Sequence, residues 1–528
     1  MKTINLRHHD RTRQNFSTAA ILFLVAATIL PAQSTPKRPA EKSATPESRT
    51  ARDLEAARQN PLSLRTWLYK MPKGADLHIH LTGAVYAESF IRAAAEDHLC
   101  VDITTLSFAP AKSSPDSECG DGKVPAAHAF QDQHLYDALV DSFSMRSFVP
   151  TTGESAHDHF FDTFSKFGGT AQRHKGEWLD EVATRAAAQN EQYLEIMETP
   201  EFGHTVLLSR MIRWNDDFSL LREALLKQGL RDDIKVASEH FDQAEAVRKD
   251  REHCGQSDAT PACNVEIRYL YQVLRGFPKE QVFAQTLIGF EIASNDPRVV
   301  GINFVMPEDG YVSMNDYALQ MKMVAYLHTA YPKIHISLHA GELAPGLVPY
   351  EGLCCHIRQA VEVAQAERIG HGVDIMYETK PHELLKEMAA KHVMVEINLT
   401  SNDVILGISG KDHPFPIYRQ FGVPVALSTD DEGVSRIDLT NEYVRAVETY
   451  NLNYPELKQI ARTGIEHSFL PGESLWRSRD NFKQTNAGCA SEPPGAEKPT
   501  QRCNDFLKSS EKAKQQWELE RRFREFEK

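Results

Sequence analysis

The chain has 528 residues, of which 41% are hydrophobic and 25% charged, and its formal net charge is −14. This composition is typical of a globular protein with a large core, and an α/β barrel with insertions can use most of such a length as one domain. The acidic balance, without a lysine- or arginine-rich run, argues against binding to nucleic-acid backbones and to anionic membranes.

The first 32 residues have the pattern of a secretory signal peptide. An apolar run over residues 19–30 follows four basic residues, which are Lys2, Arg7, Arg11 and Arg13. The run is short for a membrane span, and small residues before Gln33 offer a cleavage site. We therefore expect an exported protein, periplasmic or secreted, with an uncleaved N-terminal anchor as the alternative. Residues 33–50 are polar and rich in Pro, Ser and Thr, which predicts a disordered spacer.

Eight cysteines fit an oxidising compartment. Six of them form pairs that are close in sequence and lie in loop-like stretches: Cys100 and Cys119, Cys254 and Cys263, and Cys489 and Cys503. Local disulfides are the simplest arrangement, although sequence alone does not fix connectivity. The adjacent Cys354 and Cys355 allow a strained vicinal disulfide, two buried thiols, or one of each.

A short stretch combines two histidines with an alternating apolar pattern. Leu77, Ile79 and Leu81 alternate with His78 and His80, and residues two apart in a strand point to the same side. Both imidazoles would therefore project together and reach a single metal ion. A solvated strand face would give the same pattern, so the interpretation depends on further ligands elsewhere in the chain.

The region after this stretch contains an insertion and a second His-x-His. Residues 51–70 predict a helical lead-in and residues 84–97 a further helix. Residues 98–135 are rich in Ser, Pro, Gly and Asp, carry the first cysteine pair, and predict an insertion. The second motif, His157 to His159, has no apolar strand before it and runs into several phenylalanines. This pattern favours a helix with an aromatic face over a metal site.

From residue 180 onward, helical segments alternate with short apolar runs. The candidate strands, including the first, are residues 75–81, 193–197, 265–270, 299–305, 334–338, 368–370, 393–397 and 423–427. Eight such β-then-α units predict a (β/α)₈ TIM barrel, an α/β fold, over residues 51–488. Residues 489–528 predict a linker and a highly charged helix that is either solvated or binds a partner.

Reactive side chains collect at the carboxyl ends of barrel strands. The first, fifth and eighth predicted strands end at three imidazoles and one carboxylate, a donor set that suits a divalent metal and most simply Zn²⁺. These four residues are His78, His80, His339 and Asp430. Glu342 lies on the same loop as a ligand and could donate a proton. His371 and Asp431 could hold and deprotonate a water molecule, whose pKa such a metal lowers.

Five segments, in this order, resemble the signatures of the adenosine deaminase family of metal-dependent aminohydrolases. They are residues 71–80, 337–342, 368–372, 398–402 and 428–431. The resemblance covers about residues 70–470. The secretion signal and the cysteine-bearing insertion are similar to those of the secreted deaminase-related growth factor branch.

The resemblance implies one Zn²⁺ per chain and a hydrolytic deamination. The implied ligands are His78, His80, His339 and Asp430. Glu342 would protonate the purine N1, His371 would orient and deprotonate the attacking water, and Asp431 would contact N7. Water would add at C6 of adenosine, and of 2′-deoxyadenosine, to give inosine and ammonia.

Two positions depart from the family pattern. Thr82 stands where cytosolic members carry an acidic residue that contacts the ribose. Met306 stands where they carry a glycine whose backbone N–H contacts the base, and Met306 still has an N–H to offer. Both residues are expected at the substrate. The departures therefore bear on which nucleoside is bound more than on the hydrolytic chemistry.

Other classes of aminohydrolase fit less well. The fourth strand contains no lysine to bridge two metals, and no Pro-Cys-x-x-Cys motif occurs. Two alternatives stay open: an aminohydrolase for another 6-aminopurine, and a catalytically idle secreted binding protein on the same scaffold. The intact metal and proton-donor set argues against the second. The expected partner is a small purine nucleoside, with no nucleic acid and no membrane after signal removal, and a homodimer is possible. The sequon at Asn398 lies at a strand end, so we expect it to be structural.

Overall fold

The computed structural model describes residues 45–111, 119–170, 172–200 and 203–528. The predicted signal peptide and the spacer up to residue 44 lie outside these residues. Thr45 to Lys528 form one compact unit. The spacer ends earlier than predicted, because a helix begins at Pro46, where Thr45 accepts a hydrogen bond from the Ser48 N–H as its N-cap.

The central sheet has eight parallel strands in sequential order, which confirms the predicted barrel. The strands are β1 (Gly74–His80), β2 (Glu191–Glu198), β3 (Glu266–Leu274), β4 (Val299–Val305), β5 (His335–Ala340), β6 (Arg368–His371), β7 (Met394–Ile397) and β8 (Val425–Leu427). β1 and β8 close the ring through a parallel bridge between Ile79 and Asp430. The Asp430 N–H donates to the His78 carbonyl at 2.8 Å, and the His80 N–H donates to the Asp430 carbonyl at 3.2 Å.

Helices follow the strands and surround them. They are α1 (Pro46–Ala57), α2 (Pro61–Lys70), α3 (Leu81–Ala84), α4 (Ala87–Glu96), α5 (Gln133–Ser142), α6 (Ala156–Lys166), α7 (Lys175–Ala188), α8 (Gly203–Met211), α9 (Phe218–Lys227), α10 (Asp232–Arg251), α11 (Lys279–Asn295), α12 (Tyr311–Ala330), α13 (His356–Glu362), α14 (Pro381–Lys391), α15 (Leu399–Leu406), α16 (Phe415–Phe421), α17 (Glu432–Ser435), α18 (Leu439–Tyr450), α19 (Tyr454–His467), α20 (Gln501–Ser509) and α21 (Glu511–Phe526). Among the residues that the structure describes, no helix is both long and apolar enough to cross a membrane.

The insertion between β1 and β2 carries secondary structure of its own. Three short antiparallel strands, Cys100–Asp102, Ser107–Ala109 and Lys123–Pro125, form a small sheet with the first of them in the centre. A disulfide joins Cys100 to Cys119. The predicted insertion is therefore a folded lobe after the first strand.

The charged C-terminal helix α21 is packed against the barrel and is not the solvated or free partner-binding arm that its composition suggested. Trp517, Leu519 and Phe523 are buried. Leu519 approaches Gly74 at the start of β1 so closely that a Cβ on Gly74 would lie 3.3 Å from the Leu519 Cδ2. Its buried charge is paired, since Glu520 contacts Arg462 at 2.6 Å. The helix thus covers the amino end of the barrel.

All eight cysteines are disulfide-bonded. The three predicted local pairs are confirmed: Cys100–Cys119, Cys254–Cys263 and Cys489–Cys503. The adjacent Cys354 and Cys355 form a vicinal disulfide, which was one of the three arrangements that the sequence allowed.

Candidate active site

Four side chains converge at the carboxyl end of the barrel, and they are the predicted metal ligands His78, His80, His339 and Asp430. One ligand atom from each lies within 4.8 Å of the others. The Nε2 of His78 is 3.1 Å from the Nε2 of His339 and 3.5 Å from the Oδ1 of Asp430. The Nε2 of His80 is 3.2 Å from the same carboxylate oxygen. The cluster is the size of a single-ion site.

Each of the three histidines is held from behind by an acceptor on its other ring nitrogen. Nδ1 lies 2.6 Å from a carboxylate oxygen of Glu396 for His78, 2.8 Å from the Gln272 side-chain oxygen for His80, and 2.7 Å from the Asn303 side-chain oxygen for His339. These contacts place a proton on Nδ1 and direct the Nε2 lone pairs at one another.

Lone pairs that face each other and a carboxylate at about 3 Å repel unless a cation lies between them. The donor set, three imidazole nitrogens and one carboxylate, suits Zn²⁺. The outer oxygen of Asp430 accepts a hydrogen bond from Ser401 at 2.6 Å, which leaves its inner oxygen for the cluster. The residues present therefore fit a divalent metal.

Glu342 and His371 lie beside the cluster, as predicted. The Oε1 of Glu342 is 3.5 Å from the Nδ1 of His371, whose Nε2 is 4.0 Å from Asp430. Burial, with the charges of Asp430 and Glu308, holds the pKa of Glu342 well above its usual range. Burial lowers the pKa of His371 to about 3. A carboxyl group that binds its proton more tightly than usual therefore lies next to a neutral imidazole.

Three residues of the site have left-handed backbone conformations that L-residues adopt infrequently. The φ angle is +86° at Met306, +68° at His371 and +63° at Asp430. Each lies at or just beyond the end of a barrel strand. Such conformations cost free energy and concentrate at functional sites.

A cavity of about 380 Å³ opens over the cluster. Its lining includes His80, His339, Asp430, Glu342, Asp431, Thr82, Gln272 and Met306, and an aromatic wall from α6 formed by Phe160, Phe161 and Phe164. Both residues that depart from the family pattern, Thr82 and Met306, are thus at the cavity. Its volume lies in the range of small-molecule sites.

Asp431 lines this cavity and has an unused polar atom that packs against Gly83. Its Oδ1 is buried and has no hydrogen-bond partner among the described residues. A Cβ on Gly83 would lie only 1.5 Å from that atom, so glycine is needed at position 83 for Asp431 to keep this position. Burial and the charge of Asp430 raise the pKa of Asp431 to about 8, which makes its carboxyl group a potential donor.

Several functional side chains escaped the sequence reasoning. The histidine partners Glu396 and Gln272 lie far from their imidazoles in sequence, and nothing local marks them. The aromatic face of α6 was predicted, but its place at the cavity was not. His157 and His159 lie outside the metal cluster, as expected: His157 pairs with Asp309 and Asp158.

The sequon at Asn398 was predicted to have a structural role. Its side chain is fully buried and lies 3.4 Å from the Nδ1 of His371. A buried side chain cannot accept a glycan, so the structural interpretation of the sequon is confirmed.

Solved structures with the same fold include a deaminase and an amidohydrolase. The apo N6-methyl-AMP deaminase from Arabidopsis thaliana superimposes with a TM-score of 0.51 and 20% identity, over 77% of this chain and 94% of the other. An amidohydrolase from Burkholderia ambifaria with bound Zn gives a TM-score of 0.51 and 16% identity, over 77% and 88%. At these identities the likeness establishes the barrel fold alone.

The match to a family model shows the family of the chain, and curated sequence relatives agree with it. An adenosine deaminase of Clostridium perfringens is 34% identical over 139 residues, which span 26% of this chain and 39% of that relative. The family model described as "Adenosine deaminase" matches residues 179–483. This segment contains His339, Glu342, His371 and Asp430, and the fold brings His78 and His80 to them. The chain belongs to the adenosine deaminase family.

Proposed function

We propose that this protein is a zinc-dependent aminohydrolase that converts adenosine, and also 2′-deoxyadenosine, to inosine and ammonia. One observation carries the proposal. A buried carboxyl group with a raised pKa, Glu342, lies beside a four-ligand cluster of metal type at one small cavity. A binding protein has no need of a general acid at a metal site. The family membership supports the same reaction class.

A Zn²⁺ ion held by His78, His80, His339 and Asp430 would supply a Lewis acid and lower the pKa of the attacking water toward neutrality. Side chains of the protein would carry out the proton transfers. The neutral ring of His371 can hold the water and take its proton. Glu342 can give its proton to the purine N1, which makes C6 more electrophilic. Asp431, protonated near neutral pH, can donate to N7.

The cavity favours a nucleoside over a nucleotide. Within the part of the chain that the structure describes, its lining includes no lysine or arginine. A 5′-phosphate would therefore meet no cationic side chain of the lining there. The phenylalanine wall of α6 instead offers apolar surface to a sugar and base. Another 6-aminopurine without a phosphate is the alternative substrate.

The test is an ultraviolet assay of the purified protein against adenosine, 2′-deoxyadenosine, adenine and AMP, with elemental analysis of the same sample. We expect one zinc per chain and the highest kcat/KM on adenosine, with AMP at least about tenfold poorer because the cavity lining offers its phosphate no lysine or arginine. Two metals per chain, or none in an active preparation, would contradict the metal site. Release of no ammonia from any 6-aminopurine would favour an idle binding protein.

We also propose that the mature protein is exported, as in the secreted branch of the family. Four disulfides support this, because such bonds persist in oxidising compartments. N-terminal sequencing of protein from its native compartment should find a start near Gln33, and thiol titration should find no free cysteine. An intact Met1 together with eight free thiols would place the protein in a reducing compartment.

A further inference from the structure

The backbone that carries Glu342 is held by a second glutamate. The N–H groups of Gly341 and Glu342 donate to the two carboxylate oxygens of Glu308, each at 2.9 Å. Glu308 is buried and lies just beyond β4. This two-point contact fixes the peptide between Gly341 and Glu342, and with it the direction in which the Glu342 side chain leaves the backbone.

Glu308 in turn depends on His356. The Nδ1 of His356 lies 2.5 Å from a Glu308 oxygen, and Arg275 lies at 3.8 Å from the other. Burial alone would raise the pKa of Glu308, but the hydrogen bond from His356 and the charge of Arg275 outweigh it and lower the pKa to about 2. Without His356 the buried carboxylate would keep its two backbone N–H donors, and Arg275 at 3.8 Å would be left as a distant cationic partner.

His356 is aimed by its surroundings on two sides. Its ring stacks on Tyr317 with centroids 3.6 Å apart, and the Tyr317 hydroxyl donates to the His356 carbonyl at 3.0 Å. On the other side, His356 is the first residue of α13, directly after the Cys354–Cys355 disulfide. Cys355 has a φ of +88°, a left-handed conformation that costs free energy for a residue with a Cβ.

We infer that the Cys354–Cys355 disulfide is a positioning element for the proton donor: it fixes the turn before α13, which aims His356 at Glu308, and Glu308 holds the backbone of Glu342. The inference rests on the proposed role of Glu342. A disulfide between neighbours limits the turn to few conformations. Without it, Cys355 is free to leave the left-handed region and to carry His356 away from Glu308.

This arrangement predicts an effect on turnover and little effect on substrate binding. The residues that link the disulfide to Glu342 are Cys354, Cys355, His356 and Glu308. None of these four lines the cavity, whereas Glu342 does. A misplaced general acid slows the proton-transfer step, and displacement by about 1 Å can cost a hundredfold in rate. The four proposed metal ligands are not part of this link, so zinc should stay bound.

The experiment compares three variants in the full-length protein. Cys354→Ser/Cys355→Ser and His356→Phe should each lower kcat by about tenfold to a hundredfold, with KM within about threefold of wild type and zinc retained. His356→Asn should recover most of the lost kcat, because its amide N–H can take the place of Nδ1–H toward Glu308. The matched control is Cys489→Ser/Cys503→Ser, a disulfide at the C-terminal end of the chain, which should leave kcat unchanged.

Two outcomes would overturn the inference. One is a vicinal double-serine protein that folds and keeps kcat within about twofold of wild type. The other is His356→Asn behaving no better than His356→Phe. If the double-serine protein does not fold, Cys354→Ala/Cys355→Gly takes its place, because glycine tolerates a φ of +88°. The turn is then possible but no longer fixed, and kcat should fall about tenfold.

Failure of the proposed function would look different. A wild-type protein that deaminates nothing refutes the proposed reaction without touching the link. Hydrogen exchange then tests the link alone: the amides of Gly341 and Glu342 should exchange at least about tenfold faster in the His356→Phe and vicinal double-serine proteins than in wild type. Equal exchange rates in all of them would refute the link.

Discussion

Replacing Glu342 with glutamine should reduce turnover by about a hundredfold to ten-thousandfold, the range typical of a lost general acid. Glutamine has nearly the same shape and keeps the hydrogen bonds of the backbone N–H to Glu308. It cannot give up a proton at N1. Because Glu342 is not among the four ligand residues, zinc content and fold should match wild type. Substrate affinity should change much less than kcat.

The control for this substitution is Glu466→Gln. Glu466 is also a buried carboxyl group with a raised pKa, for which burial is the main cause. It hydrogen-bonds with Ser474 and Gln516 near the C-terminal helix, away from the cavity lining. Its kcat should equal that of wild type. Near-normal turnover by Glu342→Gln with zinc bound would refute the proposed mechanism even if the reaction itself is found.

Replacing Asp430 with alanine should remove metal and activity together. Asp430 supplies the anionic ligand, and its oxygen lies within 3.5 Å of the Nε2 atoms of both His78 and His80. Loss of an outer hydrogen-bond partner costs about tenfold to a hundredfold in metal affinity, so loss of a direct ligand should cost more than about a hundredfold. Chelator competition measures the affinity, and the same samples are assayed for turnover.

A second variant distinguishes the loss of the ligand Asp430 from the loss of the hydrogen bond that supports it. Ser401→Ala removes the hydrogen bond to the outer oxygen of Asp430 and should weaken metal binding only by about tenfold to a hundredfold. Excess zinc should restore the activity of Ser401→Ala and fail to restore that of Asp430→Ala. Tight metal binding by Asp430→Ala would mean that the cluster is not the metal site.

The sequence predicted the barrel and the candidate ligands because both are encoded locally. Each strand is a short apolar run, and each proposed ligand follows or ends such a run, so the topology alone brings His78, His339 and Asp430 together. The partners behind the histidines are not local. Glu396 lies 318 residues from His78, and Gln272 lies 192 residues from His80. No period or motif in one sequence pairs such residues.

The C-terminal helix shows the opposite failure, in which composition outweighed spacing. Its many charges suggested a solvated helix, yet Ala513, Trp517 and Phe523 are buried on one face, where Gln516 and Glu520 complete a spacing of three or four residues. Gln516 and Glu520 share that buried face and weakened the apolar pattern. Both are satisfied by partners on the barrel side: Gln516 by the Leu475 N–H, and Glu520 by Arg462. A buried polar residue interrupts the apolar pattern of a helix face, and the sequence does not reveal its burial when its hydrogen-bond partner lies far away in the chain.

The seam of the barrel coincides with the candidate metal cluster, since β1 and β8 are bridged at Ile79 and Asp430, between two of the histidines. An ion that binds at this contact between β1 and β8, and does not bind the unfolded chain, would stabilise the folded state. At a free concentration one thousand times its dissociation constant, it would add about 4 kcal/mol to the free energy of unfolding. The lifetime of the folded protein would then depend on the zinc supply of its surroundings, and scarcity of zinc would favour unfolding and proteolysis as well as loss of activity.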